Sequence, residues 1–317
     1  MTTTLTARDP VDLLAAVPLV LGFRPAESLV MLTFGGDQGF HARVDLPPED
    51  DPTACVELTG SMLDPCLTHR VPCVAFVVYT ADAPLAASLA ASLVPAFVAA
   101  GIGVVDVLRV EEDRWCRVSR RARARETALQ SFDPHDHPFS VHAVFEGRVT
   151  LASREELARQ VTADDRLRER WCAALGRLDE PAPDEDQQVA DLLGRLVTAA
   201  RDPTDAEAAR VLRSIRRVEV RDAAIGRVPR AVAGADARDH LRLWATLLRG
   251  APGPHVADVA AVTAFCAWQA GDGALAWCAL DRCFEAEPAH RLGSCLALCL
   301  THAVPPSAWE EVGTTDL

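Results

Sequence analysis

The 317-residue chain contains no lysine and no asparagine; all 32 of its basic side chains are arginine. Without lysine it cannot form a Schiff base, and it cannot use the lysine of a Walker A loop or of a protein-kinase site. Any phosphate would have to be held by arginine or by backbone amides. The bias itself reads as codon usage in a GC-rich genome. Aromatic side chains are scarce, at 5%, so the core must be filled by Ala, Val and Leu. There are 10 cysteines but no C-x-x-C pair. That argues against a zinc site, and a disulfide framework is not expected in a chain this large. Cys278, Cys283, Cys295 and Cys299 fall inside apolar helical patterns, where cysteine behaves as a small hydrophobe.

A long unbroken apolar run is also missing. The stretch LLAAVPLVLGFRPAESLVML (13–32) carries only two charges, Arg24 and Glu27, yet Pro18, Gly22 and Pro25 interrupt it. It falls short of the roughly 20 apolar residues a membrane span needs. The preceding MTTTLTARDP is not a basic leader region. The expectation is a cytoplasmic protein with no membrane association.

Hydrophobic residues make up 49% and charged residues 24%, a globular composition, and the net charge is −13. An acidic surface repels nucleic-acid backbones unless a local basic patch overrides it. Asp9 can cap a helix with Pro10 at its first position, and that helix is expected to stop near Pro18. SLVMLTFGGDQGFHARVDLP then reads as a β-hairpin spanning 28–46. Pairing Phe34 with Phe40 would place Ser28, Val30, Leu32 and Phe34 with Ala42, Val44 and Leu46 on one core face. Residues 53–69 read as a helix, PCVAFVVYT as a buried strand, APLAASLAASLVPAFVAAG as a helix, GVVDVLRV as a strand, and RWCRVS as a short strand. This order implies an α/β domain over 1–151 with a mixed sheet.

From residue 152 the pattern is helical to the end, implying an all-α domain over 152–317. DEPAPDED (179–186) is the clearest linker. AGDGALAWCALDRCFEAEP, with Gly271 at a turn, resembles the second half of a tetratricopeptide repeat. No 34-residue period is sustained, so this is one helical hairpin and not a solenoid.

DLLAAVPLVLGFRPAESLVML, ARVDLP (42–47), RW (114–115), GRVTLASREEL (147–157), VRDAA (220–224), GDGALAWCALDRCFEAEPAHRL and VPPSAW together carry a family resemblance. The chain resembles the actinobacterial group known as domain of unknown function 4192, over nearly its whole length. That resemblance implies a cytoplasmic setting and brings no activity. Members commonly have a Cys- and Pro-bearing segment after the Arg-Trp pair; here only Cys116 remains.

Three clusters are candidate sites. Arg43 and Asp45 lie two apart on one strand, with Arg24, Glu27 and Ser28 close in sequence. They could form a ligand or partner site at the strand ends, or an ion-pair cluster holding the turn. RWCRVSRRARARE would stack Arg114, Arg117, Arg121 and Arg125 on one face if helical, an anion site in an acidic chain or simply a solvated face. DPHDHPFSVH offers Asp133, His135, Asp136, His137 and His142, but its prolines read as a surface loop. GIGVVD (101–106) leads into a strand, so it is no dinucleotide fingerprint. No catalytic residue, metal or cofactor is expected. The reading is a non-catalytic module that binds a protein partner or a small ligand. Two alternatives stand beside it: an enzyme or nucleotide-binding protein using the Arg24/Ser28/Arg43/Asp45 region, and nucleic-acid binding through 114–125.

Overall fold

The computed structural model describes residues 7–36, 39–47, 52–118, 128–134, 137–145, 150–228 and 235–309. The chain forms two compact units that divide between Arg154 and Glu155.

The N-terminal unit opens with α1 (Pro10–Leu21). Asp9 accepts from the Asp12 amide at 3.0 Å and Asp12 accepts from the Asp9 amide at 3.4 Å, a capping box, with Pro10 at the first position. The helix does not stop at Pro18. That proline removes one amide donor only a turn from the end, and Gly22 (φ 77°) supplies the stop, its N–H reaching Pro18 O at 2.9 Å.

A six-stranded mixed sheet follows among the described residues, in the order β2-β1-β3-β4-β5-β6. The strands are β1 (Ser28–Phe34), β2 (His41–Asp45), β3 (Cys73–Tyr79), β4 (Gly103–Glu111), β5 (Arg114–Arg117) and β6 (Gln130–Ser131). β3 and β4 are parallel and the other neighbours antiparallel. The hairpin is one residue out of the expected register: Leu29 faces Val44 and Met31 faces Ala42, while Ser28, Val30 and Leu32 face Asp45, Arg43 and His41. The apolar face of β2 stands as expected, but it meets the odd residues of β1. β1 is apolar on both faces, so its own sequence holds no register information.

Both faces of the sheet are covered. Helices α2 (Pro52–Thr68) and α3 (Ala83–Ala99) pack Met62, Cys66, Leu89, Leu93 and Phe97 against Leu29, Met31, Val74, Phe76 and Val107. On the other face α1 packs Leu13, Leu14 and Val17 against Val30, Leu32, Val77, Leu108, Val110 and Trp115.

The N-terminal unit also contains the short helix α4 (Pro138–Phe145). The C-terminal unit is helical. It contains α5 (Arg154–Ala158), α6 (Asp165–Leu175), α7 (Glu185–Thr198), α8 (Asp205–Ile215), α9 (Val218–Gly226), α10 (Ala235–Gly250), α11 (Val256–Gln269), α12 (Gly273–Ala286) and α13 (Arg291–Thr301). α11 is buried on nearly every side, and its alanines let neighbouring backbones approach closely. It turns at Gly271 (φ 76°) into α12. Cys278 and Cys283 are core residues, but Cys295 is exposed on α13, contrary to its apolar surroundings in sequence. The acidic, proline-rich stretch joins α6 to α7, where Glu185 is buried against Arg213. No helix among the described residues is long and apolar enough to cross a membrane.

Two outcomes test this packing. A Cβ on Gly250 would lie 2.3 Å from the Trp171 ring, whereas one on exposed, mid-helix Gly194 meets nothing. Gly250→Ala should cost about 1–3 kcal/mol, and Gly194→Ala should add about 0.5–1 kcal/mol, both read from urea unfolding. Separately, Arg201 grips Glu207 at 2.6 and 2.8 Å, and Thr204 donates to it as well. The Arg201 hydrogen bond, helped by Thr204, pulls the Glu207 carboxyl down to about 2 from 4.5. Its folded value is depressed, so its stabilisation is present above 4.5 and lost as pH falls toward 2. Glu207→Gln should lower Tm at neutral pH and flatten the fall in Tm across that acid window.

Candidate functional site

A cleft of about 450 Å³ opens in the N-terminal unit where β3 and β4 end. Its position follows from the topology. The two strands are parallel, so both carboxyl ends lie on the same side, and the chain leaves β3 for α3 while β4 turns back into β5. Such a divergence leaves a crevice, the usual ligand position in open α/β sheets. Leu14 and Pro18 of α1, with Tyr79, Val110, Phe132 and Pro134, supply apolar and aromatic walls. Arg24, Glu27, Glu111, Glu112 and Asp113 supply the polar lining.

Arg109 organises the strand ends. It is 3% exposed, and Nη1 points at Thr80 O (3.3 Å), Ala81 O (3.4 Å) and Glu111 Oε2 (3.0 Å). One guanidinium thus holds the β3–α3 connection against the end of β4. Glu111 also accepts from Arg114 at 3.3 Å, so two cations offset its charge. Thr80 extends the network. Its hydroxyl donates to Glu27 Oε2 at 3.2 Å and accepts from the Asp82 amide at 3.1 Å. Asp82 in turn caps α3 by accepting from the Leu85 amide at 2.9 Å.

The remaining lining groups are less engaged. Glu112 and Asp113, exposed at the β4–β5 turn, have no ion pair or side-chain hydrogen bond among the described residues. Glu27 (φ 40°) and Glu112 (φ 56°) both hold left-handed backbone, a conformation unfavourable for a non-glycine residue. The Tyr79 hydroxyl has no hydrogen-bond partner among the described residues. Burial pushes its phenol well above the ordinary value, so it stays a neutral donor or acceptor in the cleft wall.

Of the residues singled out in the sequence, Arg24 and Glu27 line this cleft. Ser28, Arg43 and Asp45 do not. Ser28 is fully buried, with an unpartnered hydroxyl, and stands between Tyr79 and Asp45 in the sheet register. Arg43 and Asp45 pair with each other at 2.7 Å on edge strand β2. Arg114 and Arg117 lie on a strand and not a helix. They project to opposite faces, Arg114 toward Glu111 and Arg117 toward Asp106 at 2.8 Å. The one-face helical stack is therefore not formed by these two; Arg120, Arg121, Arg123 and Arg125 lie outside the described residues.

The histidine-bearing segment is not all loop, since Pro138–Phe145 forms α4. His137 accepts from the Phe139 amide and pairs with Asp12 at 3.0 Å. Burial would raise the Asp12 carboxyl, but hydrogen bonds from the Arg8 and Asp9 amides and from His137 outweigh it and hold it below its usual range. His135 and Asp136 lie outside the described residues. Among the described residues no three His, Cys, Asp or Glu side chains converge as a metal site would require.

Sequence reasoning missed Tyr79, Thr80, Arg109 and Glu111. One signal was available: Arg109 is the lone cation in GVVDVLRV, between two residues that had to be buried.

Comparison with known proteins gives one match. A family model described as a domain of unknown function, DUF4192, matches residues 10–307. No curated protein and no solved structure matches the chain.

Arg109→Leu would strand two carbonyls and leave Glu111 with only an exposed partner. It should cost about 3–5 kcal/mol in urea unfolding, whereas Glu112→Gln should change stability by less than about 0.5 kcal/mol.

Proposed function

The chain belongs to the DUF4192 family, and from that premise we propose that it is a non-catalytic module binding a small ligand in the strand-end cleft. The observation that carries this reading is the cleft itself. It has the size and the make-up of a small-molecule site, apolar walls with a few placed polar groups. Its structural charges are committed: Glu111 to Arg109 and Arg114, and one Glu27 oxygen to Thr80. What is left facing the opening suits recognition better than bond-making, since the Thr80 hydroxyl is tied into the fold, donating to Glu27 and accepting from the Asp82 amide.

The two alternatives draw less support. An enzyme or nucleotide site built on Arg24, Ser28, Arg43 and Asp45 would need these groups to converge, yet Arg43 is spent on Asp45 and Ser28 is closed off. Nucleic-acid binding through residues 114–125 would draw on Arg114 and Arg117, and each has an acidic partner within the sheet.

Native mass spectrometry of the full chain, purified from its host at moderate salt, tests the proposal. Ala26 is exposed and lines the cleft, so Ala26→Trp fills the opening without touching the core. The expected result is a small molecule retained by the wild-type chain and absent from the variant at unchanged Tm. Equal retention by both would overturn the proposal.

A further inference from the structure

We propose that the ligand of this cleft is a small organic cation with an apolar body. This rests on the cleft being the ligand site, as argued above, and adds the chemistry of its occupant.

The argument begins with charge. Four carboxylates and one guanidinium line the cleft: Glu27, Glu111, Glu112 and Asp113 against Arg24. Glu111 is offset by Arg109 from beneath and by Arg114 from the side. That leaves three carboxylates facing one arginine. Glu112 and Asp113 have no cationic partner among the described residues. They sit side by side on a tight turn, within a Debye length of anything in the cleft. An anionic ligand would be repelled, and a neutral one would leave this charge without use. A cation lowers the energy of all three carboxylates at once.

The second line of argument is the wall. Tyr79 and Phe132 line the cavity together with Leu14, Pro18 and Val110. A bare metal ion would gain nothing from such a surface, and among the described residues no three carboxylates converge as an ion would need. An ammonium or guanidinium group carrying an aliphatic or aromatic body fits both halves of the site. Its charged head meets the acidic rim, and its body meets the aromatic wall, where the rings also attract cations through their π faces. The Tyr79 hydroxyl, without a hydrogen-bond partner among the described residues, offers an acceptor for an N–H donor.

Isothermal titration calorimetry on the full chain at low ionic strength, with three probes of similar body, tests this. Phenethylammonium is the cation, 2-phenylethanol the neutral analogue and phenylacetate the anion. Phenethylammonium should bind about tenfold or more tightly than 2-phenylethanol, with phenylacetate weakest. Removing the rim charges in the double variant Glu112→Gln/Asp113→Asn should weaken the cation by about tenfold and leave the alcohol unchanged. Ala26→Trp should block both. Both substituted positions are exposed turn residues, and an unchanged Tm confirms that the variants fold. If cation and alcohol bind alike, or the double variant changes nothing, the cation inference falls; the cleft reading survives as long as Ala26→Trp still blocks binding. If Ala26→Trp leaves binding intact, the binding lies elsewhere and both readings fall. No binding of phenethylammonium at about 10 mM, an affinity weaker than the millimolar scale, overturns the cation inference and leaves the cleft to the co-purification test.

Discussion

Strands β1 and β3 lie side by side with apolar side chains on both of their faces. A sheet built that way has to be covered twice, because uncovered apolar strands would expose several hundred square ångströms of hydrocarbon to water. The chain meets the requirement with α2 and α3 on one side and α1 on the other. Reaching β4 from β3 through α3 makes these two strands parallel, and it brings their carboxyl ends together beside the loop that follows α1. The cleft is the residue of this arrangement: the place where α1, the β3–α3 connection and the β4–β5 turn all pass the end of the sheet without filling it.

Arg109 shows how that opening is held. Two backbone carbonyls of the β3–α3 connection point toward it, and neither could be satisfied by an apolar strand residue. A planar guanidinium can serve two carbonyls and a carboxylate from one buried position, which a lysine ammonium would do less well. In a chain whose basic residues are all arginine, the same solution recurs in the helical unit. Arg282 there joins Val161 O and Leu248 O, and burial among these groups lowers its pKa. Both arginines join backbone carbonyls of separate segments, and Arg109 adds an ion pair to Glu111.

Much of the fold could be read from local chemistry. Asp9 and Pro10 announce the first helix, the unbroken run PCVAFVVYT announces a strand covered on both sides, and Gly271 marks the turn between α11 and α12. The misreadings share one cause: local patterns decide little where tertiary burial dominates. Pro18 reads as a helix stop but sits inside α1 near its C-terminal end, as Pro65 and Pro95 sit inside the expected helices α2 and α3, where losing one amide donor costs less than in the middle. The hairpin register slipped because β1 has two apolar faces and GGDQG permits more than one loop length. Half of the cleft was visible, since Arg24 and Glu27 are the only charges in a twenty-residue apolar stretch. The other half was not, because Tyr79, Arg109 and the β4–β5 turn meet those residues only through the parallel crossover.

The strand ends also divide into side chains tied to the backbone and side chains that are not. Arg109, Thr80 and Asp82 are tied to backbone groups, and changing any of them disturbs the start of α3 or the end of β4. The Glu112 and Asp113 side chains have no ion pair or hydrogen bond among the described residues. A two-residue turn with a left-handed backbone at Glu112 is normally given to glycine, asparagine or aspartate. A glutamate there accepts conformational strain without a side-chain partner among the described residues. On the proposed reading the return lies with what the cleft receives, and the turn then carries more information about the ligand than the buried network beneath it.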